Sequence, residues 1–473
     1  MRGVLALDQG SHASRAVVFD ETGLERATAR IPIATNRDVN GRIEHDAEEI
    51  FASLHTAAVD AVRAARKHCA SLEIIAAGLA TQRSTILCCQ RDSLDPLTPA
   101  ISWQDRRNAG WLETLASDEA RIRSLTGLPL SAHYGASKLR WCLDQLPAVR
   151  AAASRNELLA APLAAWLIGR LTGAPGCDPA NAARTLLWDS STLDWSSELC
   201  AFFGIEPHWL PPCLPTRHHY GSFDVDGVAM PLTACTGDQS AVPFAFGLPD
   251  PATVYVNIGT GAFIQQPLLA RPAEPAPLLG SILCVDETGP LYSIEGTVNG
   301  AGSAVAWFAN DSHTAEAVLW EELEALPDEI ALPLFINGVG GIGSPWWQPG
   351  SVAEFIGAGS TVERFAAVIE SIAFLIALNV ERMRTHHGSL SRVVLTGGLS
   401  RSAWLCRHLA SVLGLGVERC AAEATARGIA TLAAPILADS WHAPIEQRFE
   451  ARFLPEVTRR FVRFRQLMSE RFG

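Results

Sequence analysis

Two strand–turn–strand units, each opening one half of the chain, constrain the fold more than any other feature. In the first, an apolar run from Val4 to Leu7 ends on Asp8. It passes through the small-residue turn Gly10-Ser11-His12-Ala13-Ser14 and, after Arg15, resumes from Ala16 to Phe19. In the second, residues 253–258 alternate in polarity, Gly259-Thr260-Gly261 makes a tight turn, and residues 262–265 lead away. Both read as hairpins, and their repetition predicts an internal structural duplication. A buried strand seldom ends on a carboxylate that has no partner. Bare amides in a glycine turn form an anion-binding concavity. Acid, amides and hydroxyls together suit a metal–phosphate group.

At 473 residues the chain exceeds one ordinary core, so two domains are expected. Pro249 to Pro251 marks the boundary, giving domains 1–248 and 249–473. A formal charge of -12 argues against a nucleic-acid partner and supplies no basic face for an anionic membrane. The eleven cysteines are scattered without CxxC spacing, which reads as buried free thiols in a reducing compartment. The longest uncharged stretch, 330–353, is broken by Pro333, Gly338 and Pro345 and is no membrane helix. A cytoplasmic location is expected.

Along the chain, residues 26–35 read as a strand. A helix starts at Asp46, with Glu49 completing a capping box, and runs through Lys67. Residues 73–81 form a buried strand that 85–89 continues or pairs with. Residues 108–215 read as mostly helical, 158–171 included, and 222–232 as a connector. A long helix is expected over 362–383. A strand at 392–395 then leads through Gly397-Gly398 into a helix from near Ser402, and from Arg448 the chain reads as a solvent-facing terminal helix. Alternating strands and helices argue for α/β layers.

Four features can converge on one site: Asp8, Asp238 in the Gly237-flanked turn, Gly259-Thr260-Gly261, and Gly397-Gly398. Two carboxylates and two phosphate-friendly turns fit magnesium–ATP chemistry. Asp238, followed by Gln239, suits a general base, or equally a helix N-cap. Arg83, Trp103 and Phe263 are candidate pocket residues.

The ordered series LDQGSHASRAVVFD, IEHDAEEI, TQRSTI, WQDRRN, TGLPL, SKLRW, NAARTLLWDSSTLDW, CTGDQSA, NIGTGAF, EGTVNGAG, GIGSPWWQP, LTGGLSRS and EATARG resembles the FGGY carbohydrate kinases, on their glycerol-kinase side. The resemblance implies two ribonuclease-H-like domains of the actin/hexokinase type with ATP in the cleft between them. It also implies phosphorylation of a primary hydroxyl on a small polyol or sugar. Asp238 matches the general base, and Asp8 matches the acid that organises Mg2+, with Asp238 beside it. Ser11, His12 and Arg15 match the first phosphate loop, and Thr260 and Gly261 the second. Gly398, Leu399 and Ser402 match the adenosine side. Arg83, Ser84, Trp103, His133, Gln239 and Phe263 match acceptor positions. A homodimer or homotetramer is left open. Glycerol kinases usually carry Glu where this chain has Ser84, Tyr at His133, Asn at Ser402, and Thr-Thr at Ser11-His12. Phe223-Asp224-Val225-Asp226-Gly227 replaces the glycine-rich loop tied to fructose-bisphosphate regulation. These departures point to an acceptor other than glycerol, a ketose included. The alternative reading is a nucleotide-binding sensor of the same fold that has lost transfer activity.

Overall fold

The computed structural model describes residues 1–350, 352–420, 423–439, 441 and 445–473. Each half is built on one mixed sheet. The first has the strand order Arg217–Val225, Val228–Gly237, Glu73–Thr81, Arg2–Gln9, Ala13–Asp20, Glu25–Pro32. The Arg2–Gln9 strand runs antiparallel to Ala13–Asp20 and parallel to Glu73–Thr81. The second sheet repeats this design. Thr253–Ile258 pairs antiparallel with Ala262–Leu268 and parallel with Arg392–Thr396, which in turn pairs parallel with Val417–Arg419. The duplication expected from the two hairpins is thus present in the pairing. The same-hand arrangement places the ends of both central strands, with their turns, at comparable positions in each half.

Residues become strands here because both faces are covered. Val4 to Leu7 and Ala16 to Val18 are fully buried, one face under the helix Ala47–His68 and the other under Ala424–Ala433. A strand buried on both faces reads as a continuous apolar run. In the second half, the helix Thr361–His387 covers its sheet with a run of buried residues from Phe365 to Val380.

The helix Ala424–Ala433 belongs to the second half by sequence yet packs on the first sheet, with Ala426, Ile429 and Ala430 against Val4, Ala6 and Ala80. Its small residues permit this approach. A Cβ on Gly428 would lie 1.9 Å from Ala241 O.

Several expectations need correction. Residues 222–232 are no connector: they span the hairpin Arg217–Val225/Val228–Gly237 at the sheet edge. Asp226 and Gly227 both adopt positive φ (57° and 79°), the pairing that a two-residue turn of the hairpin hand requires. The stretch 158–171 divides into a strand, Leu158–Pro162, and a helix, Leu163–Thr172. The strand joins a separate five-stranded sheet with Ile86–Gln90, Ala100–Ile101, Ile43–His45 and Asn36–Arg37, so 85–89 neither continues nor pairs with Glu73–Thr81. Asp46 caps its helix by accepting from Glu48 N and Glu49 N, but Glu49 turns away and accepts from Ala34 N at 3.0 Å, leaving half a capping box. The terminal helix begins only at Pro455, after the edge strand Gln447–Phe449. All eleven cysteines are free, as expected.

Candidate active site

The site forms where the central strands of the first sheet end. Asp8 and Thr81 lie near the tips of Arg2–Gln9 and Glu73–Thr81, and Gly237 ends the next strand. Asp238 therefore opens a short helix, Asp238–Ala241, directly beyond the sheet edge. Gly237 is required by its surroundings: a Cβ there would sit 2.5 Å from Arg83 Cγ and Cδ. Asp238 is the first residue of that helix rather than its N-cap. Its Oδ1 accepts from Gln239 N at 2.7 Å and lies 3.9 Å from Arg83 Nε. Burial pushes the Asp238 carboxyl above the usual range, while Arg83 and the Gln239 amide pull it back.

Asp8 is half-buried. Its nearest cation is Arg15, at 3.9 Å across the hairpin, and Arg15 also pairs with Glu423. Burial raises its pKa to about 7, Arg15 opposes this, and the charges of Asp238 and Glu423 add to it. No group of three metal-ligating side chains occurs among the described residues. The donor set nevertheless fits Mg2+, which keeps most of its waters and uses one or two protein carboxylates beside substrate phosphates. Asp8 and Asp238 are such a pair, and their mutual repulsion is what a divalent cation would relieve.

Both turns present amides. The backbone N–H groups of Ser11, His12, Thr260 and Gly261 carry no hydrogen bond among the described residues. The second turn is braced from behind: Ala301 N and Ser303 N donate to Thr260 O at 3.2 and 3.0 Å. Gly261 cannot carry a Cβ, which would meet Val298 O at 2.9 Å. The Ser11 hydroxyl, by contrast, is engaged, accepting from Trp103 Nε1 at 2.8 Å and donating to Gln82 Oε1 at 3.2 Å.

Of the residues expected at the acceptor, Gln239 follows Asp238, which lies 3.9 Å from Arg83. Trp103 and His133 rings meet edge-on with centroids 5.6 Å apart. Ser84 is buried at positive φ (64°), and its Oγ has no hydrogen-bond partner among the described residues. Gln239 lies beside Asp238, but its Oε1 accepts from Asn257 Nδ2 at 3.2 Å. Phe263 is half-buried, in register with Asn257 and Thr297. Gly398, Leu399 and Ser402 line a separate cavity of about 270 Å³ with Gly302, Trp320 and Arg401. The Ser402 hydroxyl is spent there on Glu324, at 2.6 Å, and on capping Leu405 N.

Sequence reasoning missed the carboxylate that organises this pocket. Glu295, within EGTVNGAG, is buried and takes a bidentate contact from Arg83 (2.8 and 3.1 Å) and a further one from Arg184. Despite burial, the two guanidiniums hold it down to about 2. An isolated Glu in an apolar strand was the available signal. Lys138, in SKLRW, was also missed. It is fully buried and donates to Ser84 O, Ser102 O and His133 O at 3.1, 2.9 and 2.8 Å, tying the three pocket loops together.

With this geometry in place, comparison with known proteins is decisive. The N-terminal domain of the FGGY family of carbohydrate kinases matches residues 3–256, and the C-terminal domain matches 254–435. The chain belongs to this family. It is 35% identical over 449 residues to a glycerol kinase of Trichlorobacter lovleyi, covering 92% of this chain and 90% of that one. It is 32% identical over 479 residues to glycerol kinase 1 of Pseudomonas aeruginosa, covering 96% and 95%. Among solved structures, Plasmodium falciparum glycerol kinase with ADP superposes with a TM-score of 0.89 at 21% identity, covering 100% of this chain and 98% of that one. Rhodospirillum rubrum xylulose kinase gives 0.86 at 19%, covering 99% of each. The fold is therefore the two-domain, actin-like one, and this FGGY kinase is an ATP-dependent enzyme. No described helix is long and apolar enough to cross a membrane.

Proposed function

We propose that this kinase transfers the γ-phosphoryl group of ATP to a primary hydroxyl of a small polyol or sugar, with Asp238 as general base. The observation that carries this reading is the Asp238 carboxylate, held beside Arg83 at the end of the first sheet with the free amides of two glycine turns nearby. As the hydroxyl oxygen bonds to the γ-phosphorus, the bond to the bridging oxygen breaks. ADP leaves, and the hydroxyl proton passes to Asp238. The amides of Ser11, His12, Thr260 and Gly261 hold phosphate oxygens, and Arg15 lies beside the first turn. Asp8, with Asp238, would hold Mg2+, which when bound neutralises phosphate charge. The cavity at Gly398 and Leu399 takes the adenosine.

The curated relatives are named for glycerol, but the acceptor pocket here has Ser84 and His133. A site that loses a hydroxyl-binding carboxylate discriminates differently. We therefore assign a polyol or sugar other than glycerol as the preferred acceptor. The test is ADP release over glycerol, erythritol, xylitol, dihydroxyacetone, xylulose and ribulose, against the rate without acceptor. Acceptor-stimulated ADP release is expected with at least one larger compound exceeding glycerol in kcat/KM. Glycerol at the head of the panel would overturn the acceptor assignment.

A further inference from the structure

Three sequence motifs meet in one line of hydrogen bonds that the proposed reaction leaves unused. Trp103 Nε1 donates to Ser11 Oγ at 2.8 Å, and Ser11 donates to Gln82 Oε1 at 3.2 Å. Gln82 Nε2 donates to Gln9 Oε1 at 3.1 Å, and Gln9 Nε2 donates to Gly10 O at 2.8 Å. The direction of each link is fixed. An indole N–H can only donate, so the Ser11 hydroxyl accepts from it and spends its own proton on Gln82. The Trp103 backbone N–H imposes the same on Thr85, whose Oγ1 accepts from it at 3.1 Å and donates to the same Gln82 Oε1 at 3.0 Å. Gln9, Gln82 and Thr85 are 0, 2 and 1% exposed, so water does not stand in for a lost partner. The line starts at the Trp103 ring, which meets His133 edge-on, and ends in the first phosphate turn. It pins that turn at Gly10 O and Ser11 Oγ, on either side of the Ser11 N–H, which has no partner among the described residues.

We propose that the Ser11 hydroxyl is a positioning group rather than a phosphate ligand: through Trp103 it ties acceptor occupancy to the placement of the Ser11 and His12 amides. An acceptor packed against the Trp103 ring favours the ring position in which the indole meets Ser11. A phosphate oxygen on the Ser11 N–H favours the same arrangement from the other end. Two ligands that stabilise one arrangement raise each other's affinity by the same factor. Hydrogen bonds that run head to tail polarise one another, so the link acts through the whole line and not at Ser11 alone. With the acceptor absent, the phosphate turn is held less firmly, which restrains ATP hydrolysis. The inference rests on the kinase reading above and adds how its two substrates are coupled.

The test measures the affinity of magnesium–AMP-PNP by calorimetry, with and without an acceptor. The acceptor is whichever of glycerol, erythritol, xylitol, dihydroxyacetone, xylulose and ribulose gives the highest kcat/KM. The coupling factor is the ratio of the two affinities, in which a uniform loss of nucleotide binding cancels. In the parent it should be about fivefold or more. Ser11→Ala and Trp103→Phe each delete one partner of the same bond, and each should lower the factor about 2- to 10-fold. The double variant should fall no further than the lower single, since the bond can be lost only once. Ser11→Thr keeps the hydroxyl and should keep the factor. The ratio of acceptor-stimulated to unstimulated ADP release should fall in step with the factor. A parent factor near one, a factor unmoved in natively melting Ser11→Ala, or single losses that multiply in the double overturns the inference while leaving the kinase intact. A parent whose ADP release no compound of the panel stimulates overturns both readings.

Discussion

Asp238 Oδ1 accepts from Gln239 N at 2.7 Å, while Oδ2 takes only the longer bond from Gln239 Nε2 at 3.4 Å, which leaves Oδ2 the freer to take a proton. Asp238→Asn keeps the shape and removes the base. It should cut kcat by roughly two to four orders of magnitude, while calorimetric ATP affinity stays within about threefold. Retained turnover would remove the base assignment. Asp8 makes a pH prediction. Its folded pKa, about 7, lies above the ordinary carboxyl value, so the folded state binds the proton more tightly. Ionising it costs stability, and the cost sets in between about pH 4 and pH 7. Asp8→Asn should therefore melt higher than the parent at pH 8, with the difference vanishing near pH 4. A melting difference independent of pH would contradict the raised pKa. Both acids were legible in the sequence because each interrupts a buried pattern. Glu295 interrupts one too, but its meaning depends on Arg83 and Arg184, far away in sequence, and no local pattern encodes that meeting.

The elements most legible in the sequence were those buried on both faces. The two hairpins and the strand Glu73–Thr81 fell where the apolar runs put them. The edge hairpin Arg217–Val225/Val228–Gly237 was missed because one face is wet, so His218, His219, Ser222, Asp224 and Ala229 dilute the pattern. Its Asp226-Gly227 turn was there to be read. The helix Ala424–Ala433 is rich in small residues and packs closely on the first half. Gly428 faces Ala241 O in the helix that carries Asp238, and Thr425 Oγ1 donates to Asp238 O at 3.3 Å. Gly428→Ala must push these two helices apart. Overpacking of this kind costs about 1–3 kcal/mol, so the melting temperature should fall. Because the displaced partner is the base's own helix, kcat should fall as well, measured at a temperature where the variant is fully folded. Lost stability with unchanged kcat would mean that this contact does not position Asp238.

At the scale of the molecule, the two halves are held by a charge network as well as by packing. Arg83 leaves the first sheet, Arg184 follows the helix Pro179–Ala183, and Glu295 comes from the second sheet. The duplicated halves could be read from the hairpins, but not this join, nor the return of Ala424–Ala433 to the first sheet, since a run of small residues carries no address. Glu295 is held down to about 2 by its two arginines, below the ordinary carboxyl value. Its contribution to stability is therefore fully present above about pH 4.5 and is lost as pH falls through about 2. The depression corresponds to about 3 kcal/mol at neutral pH. Glu295→Gln forfeits that and leaves two buried guanidiniums with Asp238, 3.9 Å from Arg83, as their remaining named counter-charge, for a loss of about 3–5 kcal/mol in denaturant unfolding at pH 7. Between pH 7 and pH 3.5 the gap between parent and variant should narrow by about 1 kcal/mol, because only the parent has a carboxylate left to protonate in the unfolded chain. A gap that stays constant over this range would show that Glu295 acts through shape alone. In that case the closure of the two halves around the acceptor would have to rest on apolar contacts.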